Sequence, residues 1–241
     1  MIFDKNVRKG ALALIKNVFL DLDDTLLDFT RAEAEAIRGA FVEVGISPTE
    51  ENVRLYSKIN RSCWERLELG ELTRDEVLHT RFDILFRTLG ISGNSHATQR
   101  IYEHRLSLGA YYLDGAEELL RSLVGEYRLY IATNGIVNVQ MPRLEKTGIT
   151  KYFDGVFISE HIGYNKPDVR FFDSCFASIG NAERCESVIV GDSLTSDIKG
   201  GKAAGIKTVW FNPKRKENAT GIIPDYEIHA HHELITLLKE M

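Results

Sequence analysis

Val18-Phe19-Leu20-Asp21-Leu22-Asp23-Asp24-Thr25 is the stretch on which the reading of this chain turns. An apolar run that breaks off into a polar turn is the pattern of a strand buried on both faces, as in a parallel sheet, and the strand is expected over Asn17 to Leu22. Side chains alternate along an extended segment, so Asp21 and Asp23 bring two carboxylates near one another at the strand end, with the Thr25 hydroxyl beyond them. In parallel sheets the carboxyl ends of strands are where loops and helix N-termini converge and ligands bind.

Beyond this stretch the pattern changes to helix alone, from Thr30 to Tyr111. Thr30-Arg31-Ala32-Glu33 and Thr73-Arg74-Asp75-Glu76 both fit the capping box. Between them Val53, Tyr56, Ile59, Cys63, Trp64 and Leu67 recur at helical spacing until Gly70. A second stripe, Val77, Leu78, Phe82, Leu85 and Leu89, stops at Gly90. A bundle of about four helices is expected. After Leu113 helices and strands alternate. Asp114 is expected to cap a helix through Val124, and strands follow at 128–132, 155–159, 187–190 and 207–211, with a short edge strand at 224–228. Such alternation implies an α/β fold with right-handed crossovers. The helical stretch is then an insertion after the first strand.

The composition fits this picture. The chain has 241 residues, longer than one average domain of roughly 150 residues. Its 44% hydrophobic content is ordinary for a globular core. Thirty Lys and Arg against 35 Asp and Glu leave a net charge of -5, which argues against a nucleic-acid polymer as partner. Cys63, Cys175 and Cys185 form no C-x-x-C pair and read as small buried hydrophobes in a reducing compartment. No apolar run approaches a membrane span, and the run Ala11 to Ile15 is too short and too soon interrupted by Lys16 for a signal peptide, so a cytoplasmic protein with no membrane partner is expected. Oligomeric state is open between monomer and homodimer.

Four strand ends carry polar residues. Asp21 and Asp23 follow the first strand. Thr133-Asn134 offers a hydroxyl and amides before a helix, suited to an anion. Lys166-Pro167 holds a cation in a loop, and Asp192 with Asp197 follows a later strand. Paired carboxylates, a third from a distant strand, a lysine and a hydroxyl-amide cradle describe a phosphoryl site with a divalent metal, since Mg²⁺ prefers hard oxygen ligands. A carboxylate can also serve as nucleophile, and a second one two residues on as acid and then base.

Asp21-Leu22-Asp23-Asp24-Thr25, Thr133-Asn134, Lys166-Pro167-Asp168 and Gly191-Asp192-Ser193-Leu194-Thr195-Ser196-Asp197 resemble the four motifs of the haloacid dehalogenase-like (HAD) hydrolase superfamily, in order and spacing, across residues 18–205. The resemblance implies a Rossmann-like three-layer parallel-sheet core (residues 16–29 and 112–241), a helical cap (residues 30–111) and an N-terminal extension of no clear role (residues 1–15). It implies Asp21 as nucleophile and Asp23 as general acid/base. Mg²⁺ would be held by the Asp21 carboxylate, the Asp23 carbonyl and the Asp192 carboxylate. Phosphate oxygens would be held by Thr133, Asn134 and Lys166, with Asp197 supporting the metal's water or Lys166. Asp24 stands where many relatives have glycine and reads, with Asp28, as local structure.

Within the cap, Asn60, Trp64, Glu68, Gly70, Glu76, Arg81 and Phe82 resemble a pattern of pyrimidine nucleoside monophosphate phosphatases of the house-cleaning type. Trp64 could stack on a base while Asn60 or Arg81 reads its polar edge; equally, Trp64 and Phe82 lie on the apolar stripes and could simply pack the cap. The expected activity is Mg²⁺-dependent hydrolysis of small phosphomonoesters through an aspartyl-phosphate, pyrimidine nucleoside 5'-monophosphates preferred. A phosphatase of sugar or other metabolite phosphates, a sugar phosphomutase and a non-catalytic metabolite-binding module are the alternatives. The clusters His229, His231, His232 and Lys214-Arg215-Lys216 read as structural and solvated respectively.

Overall fold

A computed structural model describes residues 14–241. Of the extension expected over residues 1–15, only Leu14 and Ile15 lie within the described residues; Leu14 is exposed and Ile15 is buried in the core. The strands β1 (Asn17–Leu20), β2 (Arg128–Thr133), β3 (Gly155–Ile158), β4 (Ser187–Gly191), β5 (Lys207–Phe211) and β6 (Tyr226–Ile228) pair in the order β3-β2-β1-β4-β5-β6, every pairing parallel. The chain runs outward from β1 through β2 and β3, then returns to build β4, β5 and β6 on the other side of β1. The strand order therefore reverses between β1 and β4, and a crevice at their carboxyl ends is the expected ligand position in such a sheet.

Alternation along each strand divides the core. Val18 and Leu20 of β1, Leu129 and Ile131 of β2, and Val188 and Val190 of β4 face helices α5 (Ala116–Leu123) and α10 (His231–Glu240). Phe19, Tyr130 and Ile189 face the other way, onto Phe171, Phe172 and Cys175 of α8 (Val169–Ile179) and Ala204 at the end of α9 (Lys199–Ala204). This is the three-layer arrangement expected of apolar strands covered on both faces. Between β2 and β3 lies α6 (Val137–Thr147), and α7 (Ser159–Ile162) is a single turn after β3.

Four helices, α1 (Phe29–Glu43), α2 (Glu50–Glu68), α3 (Arg74–Leu89) and α4 (Ser95–Ser107), stand between β1 and β2 in the chain and enclose their own apolar cluster around Phe41, Tyr56, Phe82 and Tyr102. Phe82 stacks on Tyr56 with ring centroids 5.2 Å apart, so it is a core residue of this bundle. Ile136 and Val139, at the start of α6, join the cluster and seat the bundle over the strand ends.

Local expectations hold in part. Thr73 and Glu76 form the capping box at α3. The other one does not form: α1 starts earlier, capped by Asp28, whose carboxylate accepts from the Arg31 N–H (2.8 Å). Thr30 instead donates its N–H and hydroxyl to the Asp24 carboxylate, both at 2.9 Å, and Glu33 turns inward to Ser57 and Asn60. Long-range partners win over the local box. Asp24 adopts a left-handed conformation (φ 55°), which aspartate tolerates better than bulkier residues and which explains why a glycine would also suit this turn. Asp114 does not cap α5; Gly115 holds that position with no side-chain bond. Cys63 and Cys175 are buried as expected, but Cys185 is exposed in the connection before β4. Among the described residues no helix is long and apolar enough to cross a membrane.

Candidate active site

Lys166 is the hub of the crevice and is 1% exposed. Its ammonium donates to Asp21 Oδ1 (2.7 Å), Asp197 Oδ1 (2.6 Å) and the Ala132 carbonyl (2.5 Å), which uses all three of its protons. Burial alone would lower its pKa, but Asp197 and Asp21 together push it up, so the group is a permanent cation. Asn134 braces the loop that carries it: the Lys166 N–H donates to Asn134 Oδ1, and Asn134 Nδ2 donates to the Lys166 carbonyl, each at 2.8 Å. Nδ2 also reaches Ser196 Oγ (3.1 Å), so the Asn134 side chain first serves to hold Lys166.

Burial pushes the Asp21 carboxyl up to about 7 against the pull of Lys166, with Asp197 and Asp23 adding to the rise. Burial, and then Asp21, Asp197 and Asp24, hold Asp192 well above the usual carboxylate range. Oxygens of Asp21, Asp192 and Asp197 lie within 4.8 Å of one another. Three carboxylates face one ammonium, and Lys166 reaches only two of them. The uncompensated charge and the all-oxygen donor set fit a hard divalent cation such as Mg²⁺. Asp192 is positioned from both sides: its N–H donates to Thr25 Oγ1 (3.1 Å), and its carbonyl accepts from Trp210 Nε1 (2.9 Å). That contact gives Thr25 its place, tying the loop after β1 to the loop after β4.

Asp197 sits on a π-helical turn, Leu194–Ile198, and accepts from the Ser193 N–H (3.1 Å) as well as from Lys166. π turns within helices recur at functional sites. A Cβ on Gly191 would lie 2.2 Å from the Asp197 carboxyl, so only glycine at the end of β4 lets this carboxylate approach the strand.

Asp23 is turned toward α6. Its Oδ1 accepts from Arg143 Nη1 (2.6 Å) and its Oδ2 from Gln140 Nε2 (2.7 Å). Gln140 also donates to Thr133 Oγ1 (3.0 Å). Sequence reasoning missed both α6 residues. The available signal was a glutamine and an arginine three positions apart on the buried face of the helix that follows Thr133-Asn134-Gly135.

Above these groups lies a cavity of about 290 Å³, shared between the strand ends and the helical bundle. Asp21, Asp23, Thr133, Asn134, Lys166 and Asp192 line its floor, and Asn60, Trp64, Glu68 and Arg81 its roof. Asn60 and Arg81 engage each other before any ligand: Arg81 Nη1 donates to Asn60 Oδ1 (2.7 Å), and Asn60 Nδ2 donates to Glu33 Oε1 (2.6 Å). Arg81 also donates to Gln99 Oε1 from Nε (3.2 Å) and Nη2 (2.8 Å). Trp64 is half-buried, packing on the bundle core and lining the cavity at once. Glu76 and Gly70, by contrast, serve their own helix ends.

Among the polar contacts between the bundle and the core are those made by α2 and α3. Arg74 Nη2 donates to Ser159 Oγ (2.6 Å) and to Asn165 Oδ1. Thr195 Oγ1 donates to Glu68 Oε2 (2.5 Å), and burial pushes the Glu68 carboxyl up to about 7. A carboxyl raised on folding binds a proton in the native state that the unfolded chain has released, so stability is lost as pH rises from about 4.5 to about 7. Glu68→Gln keeps an acceptor for Thr195 without the charge. Its melting temperature is expected above wild type at pH 8 and equal to it near pH 5; a variant no more stable at pH 8 contradicts this account of Glu68.

His231 places its two ring nitrogens 2.7 Å from the carbonyls of Asp114 and Thr25, a structural brace under the site.

An α/β sheet with this strand order, an acidic crevice around a buried lysine and a helical insertion over it define a class of hydrolase. The chain belongs to the haloacid dehalogenase-like hydrolases, whose family model matches residues 18–211. It is 39% identical to HAD-hydrolase YfnB of Bacillus subtilis over 93% of this chain and 95% of that one. It is 38% identical to pyrimidine 5'-nucleotidase PynA of Streptococcus pneumoniae over the same shares, 93% and 95%. Pyrimidine 5'-nucleotidase YjjG of Escherichia coli is 32% identical over 92% and 96%. A crystal structure of YfnB bound to magnesium, which reveals interdomain movement, superposes with a TM-score of 0.89 over 93% of this chain and 99% of that one.

Proposed function

We propose that this chain is a Mg²⁺-dependent phosphatase of small phosphomonoesters, with pyrimidine nucleoside 5'-monophosphates as preferred substrates, working through an aspartyl-phosphate on Asp21. The observation that carries the reading is Asp21 itself, a buried carboxylate held by a fully buried lysine at the floor of a cavity wide enough for a nucleotide-sized ligand. An Asp21 oxygen attacks phosphorus, and the phosphoryl–oxygen bond to the leaving group breaks. Asp23 gives its proton to the departing alkoxide. Asp23 then takes a proton from water, whose oxygen attacks the phosphorus and releases inorganic phosphate and free Asp21. Lys166 neutralises the nucleophile and the transferring group, and Thr133 with Asn134 borders the phosphoryl oxygens. Mg²⁺, held by the Asp21 and Asp192 carboxylates and the Asp23 carbonyl, would supply the countercharge that lets an anionic nucleophile meet an anionic substrate.

The helical bundle (residues 30–111) acts in this reading as the cap over the core (residues 16–29 and 112–241). Pyrimidine preference is supported by Trp64 in the roof, by Arg81 and Asn60 lining the same cavity, and by the likeness to PynA and YjjG. The substrate is a small diffusible phosphate and not a nucleic-acid polymer, and the protein works as a monomer or homodimer.

The test is phosphate release from a panel of nucleoside monophosphates and sugar phosphates, with Mg²⁺ and with a chelator. Turnover is expected to need the metal and to favour UMP-like substrates. Trp64→Ala should raise KM for nucleotides by roughly tenfold, the value of about one stacking contact, and leave sugar phosphates little changed. Undiminished turnover in chelator, or a preference for sugar phosphates over UMP, refutes the corresponding half of the reading.

A further inference from the structure

We infer that Arg143 and Gln140 are positioning residues that hold the Asp23 carboxylate in the orientation needed for proton transfer, an inference that rests on Asp23 being the general acid/base proposed above. The clamp takes both carboxylate oxygens, Arg143 Nη1 on Oδ1 and Gln140 Nε2 on Oδ2, and the two clamping side chains are joined because Arg143 Nη1 also donates to Gln140 Oε1 (2.7 Å). Gln140 adds a bond to Thr133 Oγ1, so the carboxylate is referenced to the hydroxyl beside the phosphoryl position. A Cβ at position 135 would lie 2.3 Å from Gln140 Nε2, so Gly135 is what lets the amide reach in.

Stability does not account for this arrangement. The Arg143 side chain is wholly buried, its Nη2 has no partner among the described residues, and its ion-pair partner Asp23 is a quarter exposed, with a side-chain exposure of 26%. A buried guanidinium with an orphaned nitrogen is costly, and an apolar side chain of similar volume is often as stable or more so. What the arginine contributes is a fixed direction for one carboxylate. Its Nε donates to the Gly109 carbonyl (2.8 Å), where the chain returns from α4, so the clamp is anchored to the root of the cap as well as to α6. Asp23 is thereby held by three segments: its own loop, α6 and the return from the cap.

A leaving group that needs a proton separates this role from a structural one. The experiment compares kcat/KM, which reports the steps up to phosphorylation of Asp21, on UMP and on p-nitrophenyl phosphate, whose phenolate departs without protonation. Gln140→Met is the main variant, because it spares the Arg143–Asp23 pair; Arg143→Met is the second, and thermal unfolding verifies that each folds. Both are expected to lose roughly 10- to 100-fold in kcat/KM on UMP, the scale of a misplaced catalytic group, and at most a few-fold in kcat/KM on the aryl ester. Asp23→Asn should show the same discrimination more strongly. Equal losses on both substrates in folded Gln140→Met, or no loss on either, while Asp23→Asn discriminates, overturns the clamp. An Asp23→Asn that treats both substrates alike overturns the reading of Asp23 as proton donor, and the clamp falls with it.

Discussion

Asp21→Asn is expected to abolish turnover, by on the order of 10⁴-fold or more, while leaving the fold at least as stable as wild type. The loss follows from chemistry: an amide oxygen is too weak a nucleophile to open the reaction, and removing one member of a concerted group forfeits nearly the whole effect of the group. The stability follows from electrostatics. The Asp21 carboxyl is pushed up to about 7 because burial, and the carboxylates Asp197 and Asp23, outweigh the help of Lys166. Near neutral pH its charge therefore burdens the folded state, and a neutral amide removes that burden. Lys166 keeps Asp197 and the Ala132 carbonyl as partners after the change. A lower melting temperature at pH 7.5 would contradict the electrostatic argument. Residual turnover within tenfold of wild type would contradict the nucleophile. Acid-quenched single turnovers with labelled UMP add a direct readout: label retained on the wild-type chain and on Asp23→Asn, but none on Asp21→Asn.

Lys166→Met should damage both activity and fold. Among the described residues Lys166 is the one cation bonded to Asp21 and Asp197, and it is as buried as they are. Breaking a buried ion pair from one side typically costs about 3–5 kcal/mol, because the abandoned charges stay in a low-dielectric site. In wild type the ammonium already fails to bring Asp21 down to the ordinary range. Without it, the folded variant holds protons that the unfolded chain releases above roughly pH 4. Stability is then regained as pH falls and lost as it rises, so the deficit measured by urea unfolding should be largest at pH 8 and shrink markedly by pH 5.5. A deficit that does not depend on pH would mean that lost packing, and not stranded charge, is the cause. Activity should fall by at least roughly 10³-fold at either pH, since neither the nucleophile nor the transferring group then has its fixed countercharge.

The two variants draw on one arrangement seen from opposite sides. Asp21 and Asp192 are stabilised less by the fold than the fold would need if stability were its only constraint. In the proposed reaction that electrostatic cost falls where the metal and the phosphoryl group would bind.

Much of this was readable along the chain. The apolar runs at β1, β2, β4 and β5, and the helical stripes of α2 and α3, follow from periodicity, which short-range sterics and burial impose wherever the segment ends up. Asp21, Asp23 and Asp192 could be picked out because each closely follows an apolar run, and Lys166 and Asp197 because they stand in motif order and spacing with them; the structure does bring all five to one crevice. Partner choice was not readable. Thr30 and Glu33 spell a capping box, yet they bond Asp24, Ser57 and Asn60. Asn134, expected at the phosphate, spends its amide on the Lys166 backbone, and Asn60 and Arg81 answer each other before any base. Gln140 and Arg143 lie 117 and 120 positions from the carboxylate they hold. A polar side chain takes whichever donors or acceptors packing brings within about 3 Å, and burial makes leaving any of them unpaired expensive. That competition runs among segments distant in the sequence, so local sequence determined the strands, the helices and the reactive residues at their ends, and only the packed chain decided which of those residues hold one another.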